Sequence, residues 1–325
     1  MSKEISFDTI ENFTSNLSKH PAYGVAANAA QTNGIFKASQ SNQNQSGRCW
    51  MFSALKTMRH SIQTEFKLKG FELSQSYTFF WDKFEKSNFF FENVIGSADK
   101  PLGDRKVSFL FATPQSDGGQ WDMLCGLIEK YGIVPKKVYP ETANSENSRA
   151  LNDTLNTMLR KGGLELRALV NEGKSAEEVE AHKAELLDAI FRMLATSLGL
   201  PPKSFNFEYT DDDGNYHIDK DITPQDFFKK YVGWDLENYI SVINGPTADK
   251  PYNKVFSVEY LGNVVGGRQV RHLNLELSKF KELIVNQLKQ GEVVWFGSDV
   301  SKGGDREAGL LDTKIYQRDQ LFDYD

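Results

Sequence analysis

The chain has 325 residues, 39% hydrophobic and 25% charged, with 23 Phe, 12 Tyr and 5 Trp. That composition excludes disordered, collagen-like and low-complexity classes and leaves room for about two domains. The 38 basic residues against 44 acidic ones give a net charge of −6, so nucleic acid and anionic membrane are not expected partners, and no run approaches the ~18 apolar residues of a membrane span.

In chain order, the start carries acids where a secretory signal needs an apolar run, so no export address is read there. Phe7, Ile10 and Phe13 recur at helical spacing behind a Ser6 cap. Residues 31–48 are small and polar, a loop or turn. From Cys49 the character changes: Trp50, Met51, Phe52, Ala54, Leu55, Met58 and Ile62 leave almost no polar face, which predicts a buried central helix. A second aromatic helix is predicted from Ser76 to Phe91. The turn Asp117-Gly118-Gly119 then leads into a helix that stops at Gly132.

Long amphipathic helices follow, one through Leu151, Leu155 and Leu159, another from Val179 to Leu194 closed by Gly199 and Pro201-Pro202. Phe205 to Ile218 alternates around Asp213-Gly214, a hairpin signal. Thr223-Pro224 starts a further helix. Strands are predicted at Val255–Leu261, Val270–Leu275 and Val293–Phe296, with a helix at Ser278–Gln290 between the last two. The order implies an α+β fold: a helical part over residues 1–139, an inserted helical and hairpin block over 140–262 suited to assembly contacts, and the start of a β-rich part over 263–325.

The chemistry concentrates at Gln43-Asn44-Gln45-Ser46-Gly47-Arg48-Cys49-Trp50. A thiol at a helix N-terminus sits where free backbone N–H groups and the helix dipole favour the thiolate. Arg48 adds a neighbouring cation whose direction the sequence leaves open. Gln43 is placed to supply a side-chain amide which, with the Cys49 backbone N–H, would form an oxyanion hole. Cys125, beside Met123, Leu124 and Leu127, is expected to be an inert buried thiol. Two cysteines are too few for a disulfide scaffold in a chain of this length, and the five histidines show no zinc spacing, so no metal or cofactor is expected and the cytosol is the expected compartment.

The set Gln43, Ser46-Gly47-Arg48, Cys49 and Trp50 resembles the nucleophile segment of the bleomycin hydrolase and aminopeptidase C family of papain-like cysteine peptidases. Phe71 to Tyr77, Phe79 to Lys83, Asp117 to Met123, Glu129 to Gly132 and Val294 to Val300 extend the resemblance along the chain. It implies a papain-like fold, Cys49 as nucleophile, Gln43 as oxyanion donor, and Gly118-Gly119 as the turn that holds an extended substrate. It also implies peptide substrates with a free N-terminus and a homohexamer. Ser46 stands where secreted papain-like enzymes carry a disulfide-forming cysteine.

The resemblance leaves the general base unplaced. His182 lies on a charged helix, His272 precedes the Val293–Phe296 segment rather than following it, and His60 is about three turns along the Cys49 helix. His20 and His217 lie in segments with no family motif. The family's His and Asn blocks, and the arm that restricts its members to free N-termini, are therefore expected beyond Asp325. The expected function is a cysteine aminopeptidase acting through a thioester. A catalytically inactive binding or assembly protein on a papain scaffold, or a non-functional fragment, is the alternative.

Overall fold

The computed structural model describes residues 4–18, 42–68, 70–298, 304–305, 307–312 and 315. The first helices are α1 (Phe7–Ser18), α2 (Cys49–Glu65), α3 (Gln75–Gly96), α4 (Arg105–Ala112) and α5 (Trp121–Tyr131). Most of the predicted loop 31–48, and His20 with it, lies outside the described residues.

Helix α3 is the axis of the fold. The Ser74 hydroxyl accepts the Tyr77 N–H at 3.0 Å and caps its start. Phe79, Phe80, Phe84, Phe90 and Phe91 are wholly buried around its circumference. Trp81 stacks on Tyr131 of α5 with ring centroids 3.9 Å apart. A helix apolar on every side must be enclosed on every side. The enclosure comes from α2, α5 and the antiparallel pair α7 (Arg149–Asn171) and α8 (Ala176–Leu198), which follow the single turn α6 (Ala143–Glu146). A capping box between Ser175 and Glu178 starts α8. The apolar core is continuous from Ile5 to Val270.

The hairpin is present as β1 (Phe205–Thr210) paired antiparallel with β2 (Tyr216–Ile222), and Thr223 caps α9 (Pro224–Tyr231) through the Asp226 N–H. Beyond it lies a small mixed sheet in which β5 (His272–Asn274) runs between β3 (Ser241–Ile243), parallel to it, and β4 (Lys254–Phe256), antiparallel. The last helix is α10 (Leu277–Lys289), and β6 (Gly304–Asp305) pairs with β7 (Leu310–Leu311). No described helix is long and apolar enough to cross a membrane.

Three sequence expectations change. Val293–Phe296 is not a strand: Val293 offers its carbonyl to the Gln287 amide at 2.7 Å, and Trp295 donates its indole N–H to the Trp50 carbonyl at 3.3 Å. Its neighbours are side chains of α5 and α10, and a β-ladder needs a backbone partner. The strand expected over Val255–Leu261 is confined to Lys254–Phe256, because the chain turns at Tyr260, whose φ is +61°. Helix α4 went unpredicted, although Asp104 caps it by accepting the Lys106 and Val107 N–H groups.

Arg268 ties the segment after the hairpin to α5. Its buried guanidinium donates to Asp122 at 2.7 Å and to the Leu236 and Tyr239 carbonyls, each at 2.8 Å. Replacing Arg268 with Met leaves Asp122 buried without its cation, so the unfolding free energy in urea is expected to fall by about 3 kcal/mol. Adding Asp122→Leu should recover part of that loss; additive losses in the double variant would show that the two residues do not act as a pair.

Candidate active site

Cys49 is the first residue of α2 and its thiol is exposed, as the helix-start argument requires. The loop before it has a fixed path. Ser46 Oγ donates to the Gln43 carbonyl at 2.6 Å and accepts Arg48 Nε at 2.9 Å. The Gln45 N–H reaches the Glu146 carbonyl at 2.9 Å. Ser46 thus supplies a hydrogen-bonded tie at the position where the family's secreted members place a cysteine.

Arg48 does not serve the thiol. Its side chain is wholly buried, lies between the Phe52 and Phe79 rings, and pairs with Glu141 with Nη2 2.9 Å from Oε2. The cation beside Cys49 in sequence is therefore neutralised by the segment entering α6. Gln43 is half-buried. Among the described residues its side-chain amide makes no hydrogen bond, and its Oε1 is buried.

Gly118 and Gly119 lie immediately before α5, and Trp50 packs directly beneath Gly119. A Cβ at Gly119 would stand 2.6 Å from the Trp50 ring. The Trp50 indole N–H donates to the Asp117 carbonyl at 2.7 Å, which locks the residue after Cys49 to the glycine turn. Contacts of Gly47 and Trp50 with Asp117 and Gly119 thus join the loop that carries Gln43 and Cys49 to the Gly118-Gly119 turn in one neighbourhood.

The hub of that neighbourhood is Asp117, whose side chain sequence reasoning passed over. Its Oδ2 accepts the Gly47 N–H at 3.0 Å and Ser148 Oγ at 2.5 Å. Its Oδ1 takes Asn152 Nδ2 at 2.7 Å and the Lys83 ammonium at 2.5 Å. Gly47 has no room for a side chain, since a Cβ there would meet Asp117 Cβ at 2.8 Å. Burial alone would raise the Asp117 pKa, but Lys83's charge and the hydrogen bonds from Gly47, Lys83 and Ser148 outweigh it and hold the carboxyl well below the usual carboxylate range. Burial brings Lys83 down to about 8, against the pull of Asp117, so it keeps its proton at neutral pH. The sequence signal was available: Asp82-Lys83 and Glu85-Lys86 interrupt an otherwise aromatic helix, and charges there must find buried partners.

Three of the described histidines have partners elsewhere. His182 contacts Glu165 at 3.0 Å and Glu185 at 3.3 Å on the α7–α8 surface. His217 contacts Asp211 at 2.9 Å and stacks on Tyr209. His272 Nδ1 is 2.9 Å from Ser241 Oγ, and burial lowers its pKa. It lines a cavity of about 570 Å³ with Trp121, Trp234, Tyr239, Phe280 and Trp295, a lining that does not include Cys49. His60 is exposed on α2, about 16 Å along the axis from Cys49. Cys125 is buried, and burial pushes its thiol up to about 12, so it stays protonated. No group of three His, Cys, Asp or Glu among the described residues could hold a metal ion.

Comparison with known proteins identifies the family. The model of the Peptidase C1-like family matches residues 37–325. Aminopeptidase C of Lactobacillus delbrueckii subsp. lactis is 92% identical, covering 100% of this chain and 77% of that protein. Aminopeptidase C of Streptococcus thermophilus is 50% identical, over 96% of this chain and 75% of that protein. The crystal structure of PepW from Lactobacillus rhamnosis HN001 superposes with a TM-score of 0.85 at 56% identity, over 100% of this chain and 78% of that one. A fold of this kind with a thiol at the head of a helix packed against its central one defines a papain-like cysteine peptidase scaffold. The chain belongs to the Peptidase C1-like family, in its bleomycin hydrolase and aminopeptidase C group.

Because the Asp117 carboxyl ionises at lower pH in the folded protein than in the unfolded chain, the stability it contributes is complete above about pH 4 and is lost as pH falls below that. Asp117→Asn should cost ~3–5 kcal/mol at pH 7 by leaving Lys83 buried without a counter-charge, and should flatten the acid limb of the stability profile. Urea midpoints from pH 3 to pH 7 check this. An acid limb equally steep in both proteins would remove Asp117 from that role.

Proposed function

We propose that this protein is a cysteine aminopeptidase that releases N-terminal residues from peptides through a thioester on Cys49. The observation that carries the reading is the exposed Cys49 thiol at the first turn of α2, whose next residue, Trp50, packs against the Gly118-Gly119 turn. The names of its aminopeptidase C relatives support the substrate class.

In this mechanism the Cys49 thiolate adds to the scissile carbonyl. The oxygen that gains negative charge lies between the Gln43 amide and the Cys49 backbone N–H. Collapse expels the amine, which takes up a proton, and leaves the acyl group on Cys49 Sγ as a thioester. Water then hydrolyses the thioester and restores the thiol. A base must hold the cysteine proton and return it to the leaving amine. His182, His217 and His272 are engaged with other partners, so none is assigned that role.

A homohexamer is the assembly we infer. The exposed Phe109 on α4, Leu164 on α7 and Tyr216 on β2 support apolar contacts between copies. The unpaired thiols of Cys49 and Cys125 support a reducing compartment such as the cytosol.

Labelling by a peptidyl epoxide, read by intact mass and peptide mapping, tests the nucleophile. Cys49 is expected to react faster than free cysteine at the same pH, while Cys125 stays unmodified. Labelling of the folded protein no faster than free cysteine would overturn the enzyme reading and favour the inactive scaffold. In turnover of aminoacyl reporters, Gln43→Ala is expected to lower kcat by ~10²–10³, the loss typical of one oxyanion donor. A smaller loss in kcat would displace Gln43 from that function.

A further inference from the structure

Helix α3 carries a second buried lysine, Lys86, which neither the proposed mechanism nor the acid-stability argument uses. We propose that Lys86 is a positioning residue: it sets the Gly118–Gly119 peptide so that the Gly119 N–H faces the cleft and receives a carbonyl oxygen of an extended peptide chain. This assignment rests on the cysteine-peptidase reading above.

Lys86 is almost wholly buried, and its ammonium donates to the Ser116 carbonyl at 2.9 Å and to the Gly118 carbonyl at 2.7 Å. It is also ion-paired with Asp82, with Nζ 2.7 Å from Oδ2. An ammonium so enclosed is turned toward the fold rather than toward a ligand. It can hold the carbonyls around it in one orientation. In a planar trans peptide the C=O of one residue and the N–H of the next point in opposite directions. With the Gly118 carbonyl drawn inward onto Lys86, the Gly119 N–H must point outward. Among the described residues that N–H has no acceptor, and Gly119 is only partly buried.

Two further contacts keep the peptide from turning over. The Trp50 ring lies against the Cα of Gly119, on the side where a side chain would be. The Lys86 ammonium sits 5.4 Å from the Trp50 ring centroid, a cation–π distance that joins the lysine to the residue following the nucleophile. Gly118 and Gly119 can rotate freely without such restraints, so two glycines alone would present the N–H in no particular direction. The lysine removes that freedom from inside the fold and leaves the outer face clear for substrate.

The test compares two reagents at Cys49. A dipeptidyl chloromethyl ketone needs the glycine turn to align its backbone, whereas iodoacetamide needs only the thiol. Lys86→Met is made alone and also with Asp82→Asn, which spares the fold a buried uncompensated carboxylate. In the folded variant the rate constant for the peptidyl reagent is expected to fall about five- to tenfold, the value of one lost hydrogen bond, through weaker reversible binding. The iodoacetamide rate should be unchanged. An unchanged ratio of the two rates in a folded variant overturns the role of Lys86, and so does an equal fall in both, which marks general damage to the fold. A wild-type protein whose Cys49 shows no preference for the peptidyl reagent, relative to free cysteine, overturns the cysteine-peptidase reading and this assignment with it.

Discussion

The site depends on placing charge inside an aromatic core. Helix α3 is enclosed on all sides, yet Asp82, Lys83, Glu85 and Lys86 lie in its buried middle. Isolated, each would be costly to desolvate. They are accommodated because every one has an opposite charge within reach: Lys83 with Asp117, Lys86 with Asp82, and Glu85 with Lys130. A hydrophobic pair could fill the same volume at no loss of stability. What it could not do is grip polar backbone on neighbouring loops. Lys83 and Lys86 act outward from α3 onto residues 115–118, and Asp117 passes the restraint on to Gly47.

That arrangement couples two loops with no covalent link. The loop before Cys49 is restrained at Gln45 by Glu146, at Gly47 by Asp117 and at Arg48 by Glu141. The glycine turn is restrained at Asp117, Gly118 and Gly119 by Trp50 and Lys86. Asp117 belongs to both sets, so the loop before Cys49 and the glycine turn share one reference point. Pre-organisation of this kind lowers the ordering cost that a flexible site would incur on binding a peptide.

Local features were legible in the residues. The spacing around Cys49, the hairpin at Asp213-Gly214 and the Thr223-Pro224 helix start all appear where the pattern placed them. Each depends on interactions within a few residues, and those leave a signature in sequence. Val293–Phe296 looked like a strand by composition and is not one, because pairing depends on what backbone lies alongside. Arg48 shows the same limit at one residue. Its charge beside the thiol was plain, while its direction was decided by Glu141, far along the chain.

The sequence by itself determined the chemistry on offer: a thiol at a helix start, an amide six residues before it, two glycines at a turn, and a lineage that uses such groups to cleave peptides. Tertiary structure alone decided which charges would be neutralised and which way the Gly118–Gly119 peptide would face. The reason is physical. Helix caps and turns are satisfied by near neighbours, whereas a buried charge is satisfied only by whatever the fold brings to it. At this site the partners of α3 come from residues 115–118 and 263, and those of the nucleophile loop from 117, 141 and 146.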